Sequence, residues 1–176
     1  MGARDVIDHW GSTAEERLRR YPCDDVLPDP ARVLFRAVTI DAPAPVVYRW
    51  LCQLKVAPYS YDLLDNRGRR SPQHLVPGVD RLEVGERVLI FELASFAVDE
   101  HLTLRLRGHR VFGDVAMSYM VVPDGPDRSR LVVKVVTMPA RGLPGALVRG
   151  LLPAGDLVMM RRQLLNLKAL AEATAA

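Results

Sequence analysis

The chain is short of nearly everything that would announce a chemistry. Its 176 residues include 2 cysteines, Cys23 and Cys52, too few for a disulfide framework in a chain this long. A reducing, cytoplasmic location is therefore expected. Lys55, Lys134 and Lys168 are the only lysines among 24 basic residues; the arginines that make up the rest are scattered rather than patched. A net charge of +3 and a pI near 9.1 give no basic face for nucleic acid. The run RGRR at 67–70 has no interleaved aromatics and reads as a solvated turn. Long apolar runs are missing too, which argues against a membrane span. The opening MGARDVIDHWGSTAEERLRR has no apolar core of a signal peptide, and Val6 stands where a myristoylation signal needs Ser or Thr.

Catalytic and metal motifs are equally scarce. His9, His74, His101 and His109 show no HExxH spacing, and no pair of cysteines lies close in sequence, so no metal is expected. No glycine-rich phosphate loop and no GxSxG elbow occurs. No cofactor is implied. What remains is ordinary globular usage, 49% hydrophobic and 26% charged, enough for one domain with a substantial core.

Residues 1–31 read as a polar leader. Ser12 or Thr13 suits the cap of a short helix, with Glu15 or Glu16 in its first turn. YPCDDVLPDP, 21–30, reads as an extended linker laid against the domain. Residues 32–176 read as a single domain. RVLFRAVTI begins it as a strand that stops at Asp41-Ala42-Pro43. Val46, Val47, Trp50, Leu51 and Leu54 then recur at helical spacing, with Pro43 and Pro45 in the first turn. Ser60 suits the cap of a second short helix through Tyr61, Leu63 and Leu64, and NRGRRS, 66–71, reads as a basic turn. Residues 87–93 read as one strand and 96–98 as part of the next. Leu102, Leu104 and Leu106 alternate with Thr103, Arg105 and Arg107, giving one wet and one buried face. Residues 115–122 and 131–137 complete an antiparallel meander. Gly142, Pro144, Gly145 and Gly150 interrupt 139–153. From Pro153 one helix runs to about 173, with Asp156 at the positive end of its dipole. Met159, Met160, Gln163, Leu164, Leu167, Leu170 and Ala171 share one broad apolar arc of it.

AVTIDAPAPVVYRWLCQL (37–54), YSYDLLDN (59–66), LEVGERV (82–88) and GDLVMMRRQLLNLKALAE (155–172) together resemble the helix-grip superfamily of START domains, pollen-allergen-like proteins and polyketide cyclases, called SRPBCC. The likeness spans about residues 30–173. It implies an α+β fold in which a curved antiparallel sheet of about seven strands wraps a long C-terminal helix, with two short helices after the first strand. Relatives usually carry a glycine-rich insert before the Tyr-Ser-Tyr-Asp segment; here Lys55-Val56-Ala57-Pro58 alone stands between the two helices. Members bind sterols, lipids, quinones, phenolics or polyketides in an internal cavity.

Under that resemblance the expected partner is a small hydrophobic molecule, and a homodimer is compatible with it. Flexible methionines, Met117, Met120, Met138, Met159 and Met160, suit either an adaptable cavity lining or a filled core. Gln163 lies inside an apolar arc, so its amide must bond the sheet, a water or a ligand. Tyr59 and Tyr61 offer aromatic walls and hydroxyls. Tyr119 shares strand parity with Met117. Glu92 shares parity with Val88 and Ile90, and an inward face would make it a buried acid or base. The candidate ligand-binding set is therefore Tyr59, Tyr61, Glu92, Met117, Tyr119, Met160, Gln163 and Leu167. The leading expectation is a non-enzymatic or weakly catalytic binder. A cyclase or aromatase-like enzyme, and an interaction module with a vestigial cavity, are the alternatives.

Overall fold

The computed structural model of the chain describes residues 3–61, 70–110, 112–138 and 143–176. β1, Arg32–Ile40, is followed by helix α4, Ala44–Cys52, and a 3-10 turn, Gln53–Lys55. Pro43 caps α4 and Pro45 falls in its first turn, where the missing amide is not needed. The meander then comprises β2, Arg87–Val88; β3, Phe91–Ala97; β4, His101–His109; β5, Gly113–Pro123; and β6, Ser129–Met138. All pairings are antiparallel, and β1 joins the far side of β6, giving the order β1-β6-β5-β4-β3-β2. Helix α5, Leu143–Ala175, crosses the concave face. This is the expected α+β helix-grip fold.

Four details differ from the sequence reading. The sheet has six strands among the described residues rather than about seven. Residues 87–93 are not one strand, because Leu89 takes a left-handed φ of 58° and turns the chain into the β2–β3 hairpin. The 21–30 segment is not wholly extended: Pro22–Val26 is a short helix, α3, started by Pro22 and by the Tyr21 amide donating to Asp24 Oδ2 at 2.9 Å. The terminal helix begins at Leu143, ten positions early, with Pro144 tolerated in its first turn; Pro153 therefore lies inside it, at the cost of one amide hydrogen bond. The second short helix expected from Ser60, and most of the basic turn, lie outside the described residues.

β1 is buried on both faces. Leu34, Val38 and Ile40 join the concave core with Trp50, Leu51, Leu164 and Leu167, while Phe35 and Ala37 join a convex cluster with Tyr21, Cys23, Ala116, Val132 and Val136. The leader, helices α1 (Ala3–His9), α2 (Ala14–Leu18) and α3, supplies that second layer. Its Trp10 carbonyl accepts from the Ala37 amide at 3.0 Å on the free edge of β1. Gly11 is required there: a Cβ would lie 2.0 Å from the Ala37 carbonyl oxygen, and φ is +74°. The Cys23 amide donates to Ser118 Oγ at 2.8 Å, and Lys134 pairs with Asp24 at 2.6 Å. Thr13 caps α2, receiving the Glu16 amide at 3.1 Å while the Glu16 carboxylate accepts from the Thr13 amide at 2.7 Å.

Glu16 also binds Arg130 of β6 through both oxygens, each at 2.9 Å. Burial pushes its carboxyl up, but the hydrogen bonds from Arg130 and Thr13 outweigh this and hold it below the ordinary value. A carboxylate lowered in this way adds stability above its unfolded pKa of about 4.3 and loses it as pH falls through the lower folded value. Glu16→Gln should therefore cost about 2 kcal/mol in urea unfolding at pH 7, and the gap from wild type should close as pH falls below about 4.3. A gap independent of pH would refute the anchoring role.

Candidate functional site

α5 is fastened at its C-terminal end over β1 and α4. Trp50 Nε1 donates to Thr174 Oγ1 at 2.9 Å, the Asp41 amide to Glu172 Oε1 at 2.9 Å, and Lys168 Nζ to the Thr39 carbonyl at 2.9 Å. The helix leaves the β3–β5 side of the concave face uncovered, and a cavity of about 630 Å3 opens there. Cross-strand register orders its floor into rungs. Leu106, Val115 and Thr137 form the first; Leu104, Met117, Val135 and Leu34 the second; Leu102, Tyr119, Val133 and Arg36 the third. Leu102 and Val133 are packed into the core and close the inner end. Ile90 and Met159, 50% and 42% exposed, mark the outer end together with Leu89, Phe112 and Gly155. The Phe112 ring is held there by stacking on His109, with centroids 4.9 Å apart.

The roof comes from α5, where Asp156, Met160 and Gln163 recur at spacings of four and three and so share a face. Gln163 Nε2 donates to the Pro58 carbonyl at 2.7 Å. A carbonyl only accepts, so the amide oxygen faces Tyr119, and the Tyr119 hydroxyl must donate to it, at 2.9 Å. Burial raises the Tyr119 phenol well above its ordinary value, with the nearby Asp156 charge adding to the rise. Asp156 in turn pairs with Arg36 of β1, Oδ2 to Nη2 at 2.7 Å; Arg36 is 0% exposed and also donates through Nη1 to the Phe35 carbonyl at 2.7 Å. Burial lifts the Asp156 carboxyl above the usual carboxylate range, and the opposing pull of Arg36 does not cancel this. Burial likewise lowers Arg36 against the pull of Asp156.

The structure thus gathers Met117, Tyr119, Met160 and Gln163 around one cavity. It places the remaining four candidates elsewhere. Tyr59, at φ 53°, turns its ring edge-on to Trp50; its hydroxyl donates to the Pro72 carbonyl at 2.9 Å and accepts from Gln53 Nε2 at 3.0 Å. Tyr61, 39% exposed, lines with Tyr59 a separate cleft against Asn166 and Leu170. Leu167, one turn beyond Gln163, is fully packed core. Glu92 is not a buried acid. The break at Leu89 resets strand parity, so Glu92 faces solvent and pairs with Arg105 at 2.6 Å. That hydrogen bond holds its carboxyl below the ordinary value.

Sequence reasoning missed two groups. Arg36 was visible as a charge at the parity of Leu34 and Val38; Asp156 was seen but placed at a helix start. Gln53 was missed as well: it is fully buried and staples the 72–76 segment, donating to the His74 carbonyl at 2.8 Å and accepting from the Val76 amide at 3.1 Å. Burial pushes the Cys23 and Cys52 thiols up to about 11 and about 12, which leaves neither as a nucleophile at neutral pH. Among the described residues no group of His, Cys, Asp and Glu is arranged to hold a metal, and no helix is long and apolar enough to cross a membrane.

Neither a scan against protein-family models nor a search of curated proteins finds a match. Solved structures do match. The Zhui aromatase/cyclase from Streptomyces sp. R1128 superposes with a TM-score of 0.53 at 17% identity, covering 82% of this chain and 96% of that one. The di-domain ARO/CYC BexL gives 0.53 at 16% identity over 80% of this chain and 46% of its own. Protein MLL2253 from Mesorhizobium loti gives 0.53 at 14% identity over 82% and 100%. At these identities the likeness is one of fold: the chain has the helix-grip architecture seen in those aromatase/cyclases.

Removing one member of a buried ion pair strands the other charge, whereas replacing both with apolar groups does not. Asp156→Leu should therefore lose about 3 kcal/mol in denaturant unfolding. The double variant Arg36→Met with Asp156→Leu should return to within about 1 kcal/mol of wild type. Additive losses in the double variant would contradict the pairing.

Proposed function

We propose that the chain binds a small hydrophobic molecule in the cavity between the sheet and α5. The observation that carries this reading is the cavity itself: about 630 Å3, walled chiefly by Leu, Val, Ile, Phe and Met, and open at Ile90 and Met159. That volume lies within the range of small-molecule sites. Burying about 400 Å2 of apolar ligand surface contributes roughly 10 kcal/mol at 25 cal/mol per Å2. Association costs of at least about 4 kcal/mol leave about 6, a Kd of tens of micromolar. The vestigial-cavity alternative requires a collapsed interior, which a space of this size argues against.

A neutral lipophilic dye, N-phenyl-1-naphthylamine, should therefore show saturable fluorescence enhancement in that range. Gly155 supplies the control. A Cβ built there meets nothing within 4 Å, and glycine is a poor helix residue. Gly155→Phe should block uptake at least tenfold while leaving the melting temperature unchanged or raised. Dye binding that survives the plug, or no saturable binding by wild type, overturns the assignment.

One observation favours a second reading, a cyclase-type enzyme. Asp156 lines the cavity with its carboxyl raised by burial, close enough to Tyr119 for its charge to be felt there. A carboxyl in that state suits proton transfer. The neighbour from Streptomyces carries the name aromatase/cyclase. Turnover of a poly-β-carbonyl compound that vanishes in Asp156→Asn would favour this reading; saturable binding without turnover favours the carrier.

A further inference from the structure

Beside the cavity, and sharing Ser60 with it, lies a second cleft of about 800 Å3 between α5 and the segments 59–61 and 70–73. The chain at 58–61 is the partition: Pro58 lines the cavity, Tyr59 and Tyr61 line the cleft, and Ser60 lines both. α5 holds the partition by two successive carbonyls. Gln163 Nε2 reaches that of Pro58 at 2.7 Å, and Asn166 Nδ2 that of Tyr59 at 2.8 Å. The Tyr59 hydroxyl donates to the Pro72 carbonyl at 2.9 Å and ties in the 70–73 segment. The walls of the cleft are therefore set before anything enters.

The cleft differs from the cavity in its charge. Arg162, one turn before Asn166 on the same face of α5, lines it, and Arg70 enters from the 70–73 segment. Both are exposed, and neither has an ion-pair partner among the described residues. No Asp or Glu among the described residues lines the cleft. Elsewhere the surface arginines are matched: Arg105 by Glu92, Arg128 by Asp124, Arg130 by Glu16. Arg161, next to Arg162, lies over the Trp10 ring.

We propose that this cleft is a second binding site, for a small organic anion, a carboxylate or a phosphate ester. Arg70 and Arg162 hold the charged end, and the apolar part lies against Tyr61 and Leu170. Guanidinium forks match the oxygen pairs of carboxylate and phosphate, and two unmatched cations facing one concavity draw an anion into it. The volume suits a small molecule. The assignment stands on the cleft alone and does not depend on what fills the cavity.

Phenyl phosphate, benzoate and benzyl alcohol share one ring and differ in charge. Each is titrated into isotope-labelled protein at pH 7.5 and low salt, with backbone amide shifts as the readout. At least one anion should move the amides of Tyr61, Ser71 and Asn166 saturably, and benzyl alcohol should act there at least about fivefold more weakly. Tighter phenyl phosphate assigns a phosphate ester, and tighter benzoate a carboxylate. Added salt should weaken the anion. Arg70→Gln and Arg162→Gln should each weaken it at least about threefold with the melting temperature unchanged, since neither side chain has a partner to lose. Gly155→Phe, which plugs the cavity, should leave anion binding as it is. Benzyl alcohol as tight as both anions at these amides, shifts confined to cavity residues such as Met117 and Val135, or affinity unmoved by both arginine variants overturns the assignment. None of these outcomes touches the cavity reading, which the neutral dye tests.

Discussion

A helix is about 10 Å across, whereas six strands spaced about 4.8 Å apart make a sheet about 24 Å wide. One helix laid on such a sheet cannot cover it. The mismatch could be absorbed by a second helix, by flattening, or by large side chains filling the remainder. Here α5 is committed to one side, held over β1 and α4 by Trp50–Thr174, Asp41–Glu172 and Thr39–Lys168. The uncovered half falls over β3 to β5. The side chains there, Leu104, Leu106, Val115 and Met117, are of moderate size and do not reach across. The cavity follows from where the helix is seated.

That seat contains a buried ion pair, and an apolar contact would hold the helix at less desolvation cost. An apolar contact would also let it slide. α5 is 33 residues long and lacks a single apolar stripe over its whole length, so hydrophobic packing alone specifies its register poorly. Pairing Arg36 with Asp156, and the Tyr119–Gln163–Pro58 chain two turns further on, fixes that register at two points. The leader acts on the opposite face. By packing Tyr21 and Cys23 on Phe35, Ala116, Val132 and Val136, and by tying Glu16 to Arg130, it backs the convex side of the strands that floor the cavity. A wall supported from behind resists collapsing into the space it encloses.

The architecture was legible because it depends on patterns that local physics enforces. Alternation gave the strand at 102–107, richness in β-branched residues the strand at 131–137, prolines the start of α4, and the arc of Met160, Gln163, Leu164 and Leu167 the roof helix. Gln163 stood out because an amide within an apolar arc has to be satisfied, and the structure shows Tyr119 and Pro58 satisfying it. What failed were inferences that needed backbone departures from the regular. Leu89 and Tyr59 both adopt positive φ without being glycine, and each sends the side chains around it to an unexpected side: Glu92 to solvent, the Tyr59 ring onto Trp50. Periodicity arguments assume an unbroken strand or helix, and neither residue type signals a break. Asp156 was misread for a related reason. A proline at 153 looked like a beginning, and the helix runs on through it.

The size of the cavity bears on its contents. Voids left by truncating core leucines cost about 24 cal/mol per Å3. At that rate a dry space of about 630 Å3 would cost about 15 kcal/mol, as much as the whole stability of a domain of this size. A folded chain therefore cannot hold this space as a dry void; it must admit water or a guest. Water remains in a cavity only where it finds two to four polar partners, and the polar side chains here, Ser60, Tyr119, Thr137, Asp156 and Gln163, are few within a largely apolar wall. An apolar wall such as Leu104, Met117 and Val135 offers water no such partners, so hydrocarbon displaces water from it at a gain.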